Sequence, residues 1–274
     1  MRAALGHLRD NALFYARQTT MRIVQLSDLH LRPGSLYSGI DPWAAWRQAL
    51  DRAAALAPDL LLITGDLADD GAAATYQQLA ESLRASGFAH AVLPGNHDER
   101  AALRAAFAGQ HWSHRELACQ RVDVGEFTLL LLDTMIAGVP GGEFTPAQEA
   151  WLNQHCPRER RVLLAMHHPP TAVGIPILDT IACANSDRLA AWLAGRPHVE
   201  AIFCGHVHRL VLTTLAGRPL MIAPSTVHQI ALQDGPLAYT LEPPGFLIHD
   251  GLPGQPLRSH YLPLATAPVI NYPE

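Results

Sequence analysis

The chain has 274 residues, of which 49% are hydrophobic and 16% are charged, and its formal net charge is −5. This composition is typical of a globular protein with a substantial core and excludes a disordered chain. No run of Lys or Arg is long enough to follow a nucleic-acid backbone, so we expect no nucleic-acid polymer as a partner. No apolar stretch approaches the roughly 20 residues that cross a bilayer, so we expect no membrane partner either.

Histidine is the informative residue type, with 15 copies against four of cysteine. Imidazole is a common ligand for transition metals, so the positions of the histidines matter. The cysteines form no C-x-x-C pair, which argues against a zinc knuckle and fits reduced thiols in a cytoplasmic protein. Residues 1–20 precede the first clear strand, and polar residues interrupt any signal-peptide pattern there. We interpret them as an N-terminal extension that need not belong to the core.

Short apolar runs recur along the first three quarters of the chain. Most are continuous rather than alternating, as in strands that are covered on both faces. They comprise residues 23–26, 60–64, 91–93, 128–132, 162–166 and 201–204. Capping signals between them predict three helices, over residues 41–57, from residue 145 onwards and over residues 186–193. This alternation of strands and helices predicts an α/β fold.

After His208 the pattern changes to shorter apolar runs that are joined by turns with Gly and Pro. These runs cover residues 210–215, 220–223, 246–249 and 259–264. With no helix between them, they predict a mostly antiparallel second sheet built on the first. We take residues 21–265 as one domain and residues 266–274 as a C-terminal tail.

Five of the predicted strands are followed directly by Asp, His or Asn. The segments after them read Ser27-Asp28-Leu29-His30, Gly65-Asp66-Leu67-Ala68-Asp69, Gly95-Asn96-His97-Asp98, His167-His168-Pro169-Pro170 and Gly205-His206-Val207-His208. Open α/β sheets bind their ligands at the carboxyl ends of their strands. On an extended segment, Asp28 and His30 would point the same way because they are two residues apart. The combination predicts a metal site built from separate loops.

Each segment alone has a simpler interpretation as a turn or a helix cap. Asn96, for instance, could serve only to allow a left-handed turn, and His168 could bond to the backbone of its loop. Five such segments, each at a strand end, favour a shared site over five unrelated turns.

In this order the five segments resemble the motifs of the calcineurin-like metallophosphoesterases, which are D-x-H, G-D-x-x-D, G-N-H-D/E, a His-containing loop and G-H-x-H. Within that family, His-His-Pro-Pro and Cys-Gly-His-Val-His resemble the branch that contains bacterial cyclic-nucleotide phosphodiesterases and glycerophosphodiesterases. The resemblance implies a four-layer αββα sandwich of two mixed β-sheets flanked by helices.

The resemblance also implies that seven side chains hold two divalent ions. The first ion would be bound by Asp28, His30, Asp66 and His208, and the second by Asp66, Asn96, His167 and His206. His97 would be the catalytic histidine, and Asp69 would orient it. His228 and His168 are expected near the substrate. A ligand set without thiolate suits manganese, iron or zinc, and we favour manganese or an iron-containing pair.

The function implied is hydrolysis of small phosphodiesters, such as 3′,5′-cyclic AMP and glycerophosphodiesters, by attack of a metal-bound hydroxide. Two divalent ions carry more charge than Asp28 and Asp66 neutralise, so a monoester would be attracted as well as a diester. One alternative is therefore a phosphomonoesterase or nucleotide pyrophosphatase with the same centre. A second alternative, of a different class, is a non-catalytic, metal-stabilised scaffold. A homodimer through the C-terminal strands is a further expectation.

Overall fold

A computed structural model describes residues 21–36 and 38–272 of the chain. The expected N-terminal extension, residues 1–20, lies outside the described residues. The described chain forms two β-sheets that pack face to face, with helices on both outer sides. These four layers confirm the predicted αββα sandwich of two mixed sheets.

The first sheet has five strands in the order β15-β14-β1-β2-β3. Three neighbouring strands, β1, β2 and β3, run parallel, and β14 and β15 extend the sheet in antiparallel orientation. The strands comprise β1 (Met21–Leu26), β2 (Leu60–Thr64), β3 (His90–Leu93), β14 (Gly245–Gly251) and β15 (Arg258–Pro263).

The second sheet has six strands in the order β10-β11-β9-β7-β5-β4. Its four central strands run parallel, and an antiparallel strand lies at each edge. The strands comprise β4 (Gln120–Val124), β5 (Phe127–Leu132), β7 (Arg161–Met166), β9 (Val199–Cys204), β10 (Val211–Leu215) and β11 (Arg218–Ile222).

Six helices and two short ribbons complete the described chain. The helices are α1 (Pro42–Ala54), α2 (Ala73–Ser86), α3 (Arg100–Ala106), α4 (Pro146–His155), α5 (Pro176–Asp179) and α6 (Ser186–Ala194). One ribbon pairs β6 (Gly142–Glu143) with β8 (Cys183–Ala184), and the other pairs β12 (Gln229–Ile230) with β13 (Tyr239–Thr240). Among the helices of the described ranges, none is long and apolar enough to cross a membrane.

Burial on both faces explains why the strand sequences are continuous apolar runs. Every residue of β1, β2 and β5 is buried. Alternate residues of each strand point either into the layer between the sheets or into the layer beneath the helices. Phe127 and Phe203 lie in the layer between the sheets, whereas Trp46 and Trp151 pack under the helices.

The predicted helix starts are confirmed where a side chain caps the helix. Asp41 accepts hydrogen bonds from the first turn of α1, and Thr145 and Gln148 form a capping box at α4. Helices α2 and α3 were not predicted. The residue before α2 is Ala72, which has no side-chain oxygen to cap the helix, so this start carries no capping signal.

The predicted arrangement of the C-terminal strands is wrong. Instead of forming a sheet of their own, β10 and β11 extend the second sheet, and β14 and β15 extend the first. The strands that carry the motifs are also divided, because β1, β2 and β3 lie in one sheet and β7 and β9 in the other. A hairpin with a short turn can add to the edge of either sheet, so its sequence does not reveal which edge it joins.

Candidate metal centre

The five loops that follow β1, β2, β3, β7 and β9 meet at one end of the two sheets. Backbone hydrogen bonds hold them together. Asp28 N–H donates to Gly65 O at 3.1 Å, and Gly205 N–H donates to His167 O at 3.0 Å. These main-chain bonds fix the backbone from which the candidate ligands project.

The backbone at the candidate ligands is left-handed rather than extended. Positive φ angles of 45° to 74° occur at five of them, namely Asp28, His30, Asp66, His206 and His208. This corrects the expectation that Asp28 and His30 share a direction on an extended segment. Non-glycine residues adopt this conformation at a cost in free energy, and such residues cluster at functional sites.

Four ligand atoms of one group lie within 4.8 Å of one another, from Asp28, His30, Asp66 and His208. His30 Nε2 and His208 Nε2 are 2.8 Å apart. Carboxylate oxygens complete the group, with Asp28 Oδ1 3.4 Å from His208 Nε2 and Asp66 Oδ2 3.7 Å from His30 Nε2. The structure thus brings together the whole ligand set that was predicted for the first ion.

The set predicted for the second ion is brought together as well. Asp66 Oδ1 lies 3.5 Å from His167 Nε2. Asn96 Oδ1 is 3.2 Å from His167 Nε2 and 3.0 Å from His206 Nδ1. Asp66 therefore offers Oδ2 to one group and Oδ1 to the other, which is the geometry that a bridging carboxylate requires.

These groups fit divalent cations. The Nδ1 atoms of His30 and His208 face acceptor oxygens, the carboxylate of Asp69 and the carbonyl of His228. In neutral rings the protons therefore lie on Nδ1, and the two Nε2 lone pairs face each other at 2.8 Å. In addition, the buried Nε2 atoms of His168 and His206 have no hydrogen-bond partner among the described residues. Nitrogen and oxygen donors without thiolate suit manganese, iron or zinc. The donor set is thus better matched to cations than to hydrogen bonds alone.

Burial and neighbouring charges set the protonation of the cluster. Burial raises the pKa of Asp28 to about 6, while burial and the charge of His167 lower the pKa of His206 to about 3. Burial disfavours a charged His167, but Asp66 and Asp28 outweigh it and raise its pKa to about 9. His206 is therefore a neutral imidazole with a lone pair for a cation, and a cation at the second group would compete with the proton on His167.

His97 and Asp69 lie at the open side of the cluster. The side chain of His97 is 42% exposed, whereas the predicted ligands are largely buried. Asp69 Oδ1 is 3.6 Å from His97 Nδ1 and 3.1 Å from His30 Nδ1, and Asp69 Oδ2 accepts from Arg32 at 3.0 Å. The hydrogen bond from His30 is the largest influence that lowers the pKa of Asp69. Asp69 thus contacts a candidate ligand as well as the histidine it was predicted to orient.

His168 and His228 border the two groups. The ring of His168 is 4.9 Å from that of His167 and 4.8 Å from that of His206, and its Nδ1 is 2.9 Å from Thr134 Oγ1. The ring of His228 is 5.0 Å from that of His208. Both residues lie beside the cluster, and their place near the substrate stays a prediction.

Sequence reasoning assigned no role to Asp98. Its buried carboxylate accepts hydrogen bonds from Leu67 N–H, Ala68 N–H, Gly95 N–H and the hydroxyl of Tyr76, at distances of 2.8 to 3.1 Å. Asp98 thereby ties the loop after β2 to the loop after β3. Its position in the G-N-H-D segment is the sequence signal that could have suggested this role.

Glycine is needed where the loops approach each other most closely. A Cβ at Gly95 would meet the carboxylate of Asp66 and the ring of His167, and a Cβ at Gly65 would meet the same ring. Gly65 also has a φ of 94°. The absence of a side chain at these positions leaves room for the carboxylate of Asp66 and the ring of His167.

Comparison with known proteins agrees with the geometry. The family described as calcineurin-like phosphoesterase matches residues 21–210. The chain is 35% identical over 224 residues to the 3′,5′-cyclic adenosine monophosphate phosphodiesterase CpdA of Escherichia coli (strain K12), covering 78% of this chain and 79% of that protein. It is 31% identical over 241 residues to the glycerophosphodiester phosphodiesterase GpdQ of Enterobacter lignolyticus (strain SCF1), covering 84% of this chain and 86% of that protein.

A solved structure shares the fold at low sequence identity. The dimetal phosphatase from Danio rerio superposes with a TM-score of 0.69 and 14% identity, over 90% of this chain and 97% of that protein. The two-sheet architecture and the match over residues 21–210 lead to one conclusion. The chain belongs to the calcineurin-like phosphoesterase family.

Proposed function

We propose that this phosphoesterase hydrolyses small phosphodiesters, namely cyclic nucleotides such as 3′,5′-cyclic AMP and glycerophosphodiesters, with two divalent ions as cofactors. The relatives named for these two substrate classes each align with more than three quarters of the chain. Two dications would outweigh the charges of Asp28 and Asp66 and attract an anionic phosphate ester, and the named relatives favour the diester.

One observation carries the proposal: the two carboxylate oxygens of Asp66 face different ligand groups, at 3.7 Å from His30 Nε2 and 3.5 Å from His167 Nε2. Under this proposal, Asp28, His30, Asp66 and His208 hold one ion, and Asp66, Asn96, His167 and His206 hold the other. When bound, the ions would lower the pKa of water to near neutrality and polarise the phosphate.

The remaining chemistry falls to His97 and Asp69. His97 is more exposed than the ligands and lies next to them, so a substrate that enters from solvent meets this ring first. We assign it the role of donating a hydrogen bond or a proton to the leaving alkoxide. Asp69, 3.6 Å from His97 Nδ1, orients the ring. A scaffold that only bound metal would have no chemical use for His97, which favours the enzymatic function.

The proposal extends to the metal pair and the location. Manganese or an iron-containing pair is favoured, since the ligands are nitrogen and oxygen atoms. All four cysteines lie in the described ranges as free thiols, which supports a reducing cytoplasm. Residues 21–265 are proposed as one catalytic domain.

A metal-reconstituted activity panel tests the function. Protein stripped with EDTA should be inactive, and added Mn²⁺ should restore turnover of 3′,5′-cyclic AMP, a glycerophosphodiester and an aryl phosphodiester. The matched aryl phosphomonoester should react more slowly. Monoester turnover far above that of all three diesters would overturn the proposed substrate class, and full activity of the stripped protein would overturn the metal dependence.

A further inference from the structure

The ribbon formed by β12 and β13 presents an aromatic ring near the candidate centre. Ile230 pairs directly with Tyr239 across the ribbon, so the two side chains lie on the same face. His228 precedes Ile230 by two residues and shares that face. The ring centroids of His228 and Tyr239 are 5.2 Å apart, and His228 is 5.0 Å from His208. The ring of His228 thus contacts both Tyr239 and His208, a predicted ligand.

The ribbon is fixed to the loop that carries the ligands His206 and His208. Ile230 N–H donates to His208 O at 3.3 Å. Arg209 adds two further links. Its guanidinium donates to Ile230 O at 2.7 Å and forms an ion pair with Glu242 at 3.0 Å. The position of Tyr239 relative to the candidate centre is therefore set by the same loop that positions His208.

Exposure distinguishes Tyr239 from the rings of His228 and His208. Tyr239 is 41% exposed, whereas His228 and His208 are buried. An exposed aromatic face that is held in place can stack on a flat ligand, as aromatic side chains do with nucleobases. In a cyclic nucleotide, the ribose separates the phosphate from the base. A phosphate at the centre would therefore hold its base at the distance of one ribose. Tyr239, separated from His208 by the ring of His228, lies within the reach of such a base.

We propose that Tyr239 is a specificity residue whose ring stacks on the base of a nucleoside phosphodiester, so that cyclic nucleotides are favoured over glycerophosphodiesters. This inference rests on the proposed function for the identity of the reaction. A glycerophosphodiester has no flat ring and gains nothing from Tyr239. The selectivity thus comes from binding of the nucleoside part of the substrate and not from the metal ligands.

Kinetics of Tyr239→Ala and Tyr239→Phe, with Mn²⁺-loaded full-length protein, test the proposal. For 3′,5′-cyclic AMP, Tyr239→Ala should lower kcat/KM by about tenfold, mainly through KM, because base stacking on an aromatic side chain has an effect of this order. Turnover of sn-glycero-3-phosphoethanolamine should stay unchanged, and Tyr239→Phe should behave as the wild type. Tyr261→Ala is the matched control, since Tyr261 is also 41% exposed but lies on β15.

Calorimetric binding of 5′-AMP and of inorganic phosphate provides a second readout that needs no turnover. Tyr239→Ala should weaken 5′-AMP binding about tenfold and leave phosphate binding unchanged. Equal loss on both diesters, or unchanged 5′-AMP affinity, would overturn the stacking role. If the wild type hydrolysed no diester but bound 5′-AMP through Tyr239, the proposed reaction would fail while the stacking role stood.

Discussion

The main-chain N–H of His206 donates to both carboxylate oxygens of Asp28, each at 3.1 Å. The two residues are 178 positions apart and follow strands of different sheets, β9 and β1. Asp28 therefore anchors one sheet to the other at the candidate centre, in addition to offering an oxygen to an ion. These two roles can be separated by substitution.

We predict that Asp28→Asn loses bound metal but keeps the stability of the metal-free fold, because an amide oxygen can still accept from His206 N–H. Asp28→Ala should lose metal and also destabilise the metal-free protein by about 1–3 kcal/mol, since a buried donor is left without a partner. Elemental analysis and urea unfolding measure the two effects. The control is Asp51→Asn on the exposed face of α1. Retention of two ions per chain by Asp28→Asn would contradict its role as a ligand.

His97→Ala is expected to lower turnover by roughly 10²–10⁴-fold, the usual contribution of a general acid, while metal content stays near that of the wild type. The reason is that His97 lies beside the ligand groups without completing either of the two predicted sets. His111→Ala, at an exposed histidine, is the control for losing an imidazole. A parallel loss of metal and turnover would instead identify His97 as a ligand.

Gly95→Ala tests how tightly the loops pack around the bridging carboxylate. The added Cβ would meet the Asp66 carboxylate and the His167 ring. We expect a loss of about 1–3 kcal/mol in the free energy of unfolding, typical of overpacking, together with weaker metal binding. A Cβ at Gly109 would have nothing within 4 Å, so Gly109→Ala should change neither. If both variants matched the wild type in unfolding and metal titration, the loops would be looser than these contacts imply.

The sequence predicted the candidate ligands because each follows a buried strand directly. The strand ends marked Asp28, Asp66 and Asn96 as candidates, and the family resemblance implied that they are ligands. The structure brings their side chains together. In this fold the loops after strands of both sheets meet at one end of the sandwich. The assignment of strands to sheets was therefore not needed to find the site.

Other features depended on contacts that the sequence does not record. The four hydrogen-bond donors to Asp98 come from two loops and from α2, a helix that carries no capping signal. The left-handed backbone at Asp28 and His30 replaced the extended segment that their spacing suggested. Tyr239 lies beside His228 because of the register in which β12 and β13 pair. The length of the turn between the two strands does not by itself reveal that register.

A pH-dependent contribution to stability is expected from His249, which is fully buried between the sheets. Its ring stacks on Phe203 at 3.9 Å, and its Nε2 donates to Gln25 Oε1 at 2.9 Å. The amide nitrogen of Gln25 donates elsewhere, so its oxygen faces His249 as an acceptor. Nδ1 is then the acceptor for Ser259 Oγ at 2.7 Å. Both ring nitrogens are thus satisfied in the neutral form.

Burial, with repulsion from His260, lowers the pKa of His249 to about 3, against 6.5 as its ordinary value. Above pH 6.5 both the folded and the unfolded chain carry a neutral His249, and its favourable contribution is fully present. Between pH 6.5 and pH 3 only the unfolded chain binds the proton, so the free energy of unfolding falls as the pH falls, by about 1.4 kcal/mol per pH unit for this residue.

His249→Gln should remove this dependence, because an amide can donate to Gln25 and accept from Ser259 without titrating. Urea unfolding from pH 8 to pH 4.5 should therefore show the wild type losing stability more steeply than the variant below pH 6.5, with parallel curves above it. His111→Gln, at an exposed site, should follow the wild type throughout. Parallel curves for the wild type and His249→Gln down to pH 4.5 would show that His249 accepts a proton as readily in the fold as in the unfolded chain. In that case the neutral pairing with Gln25 and Ser259 would not govern its titration.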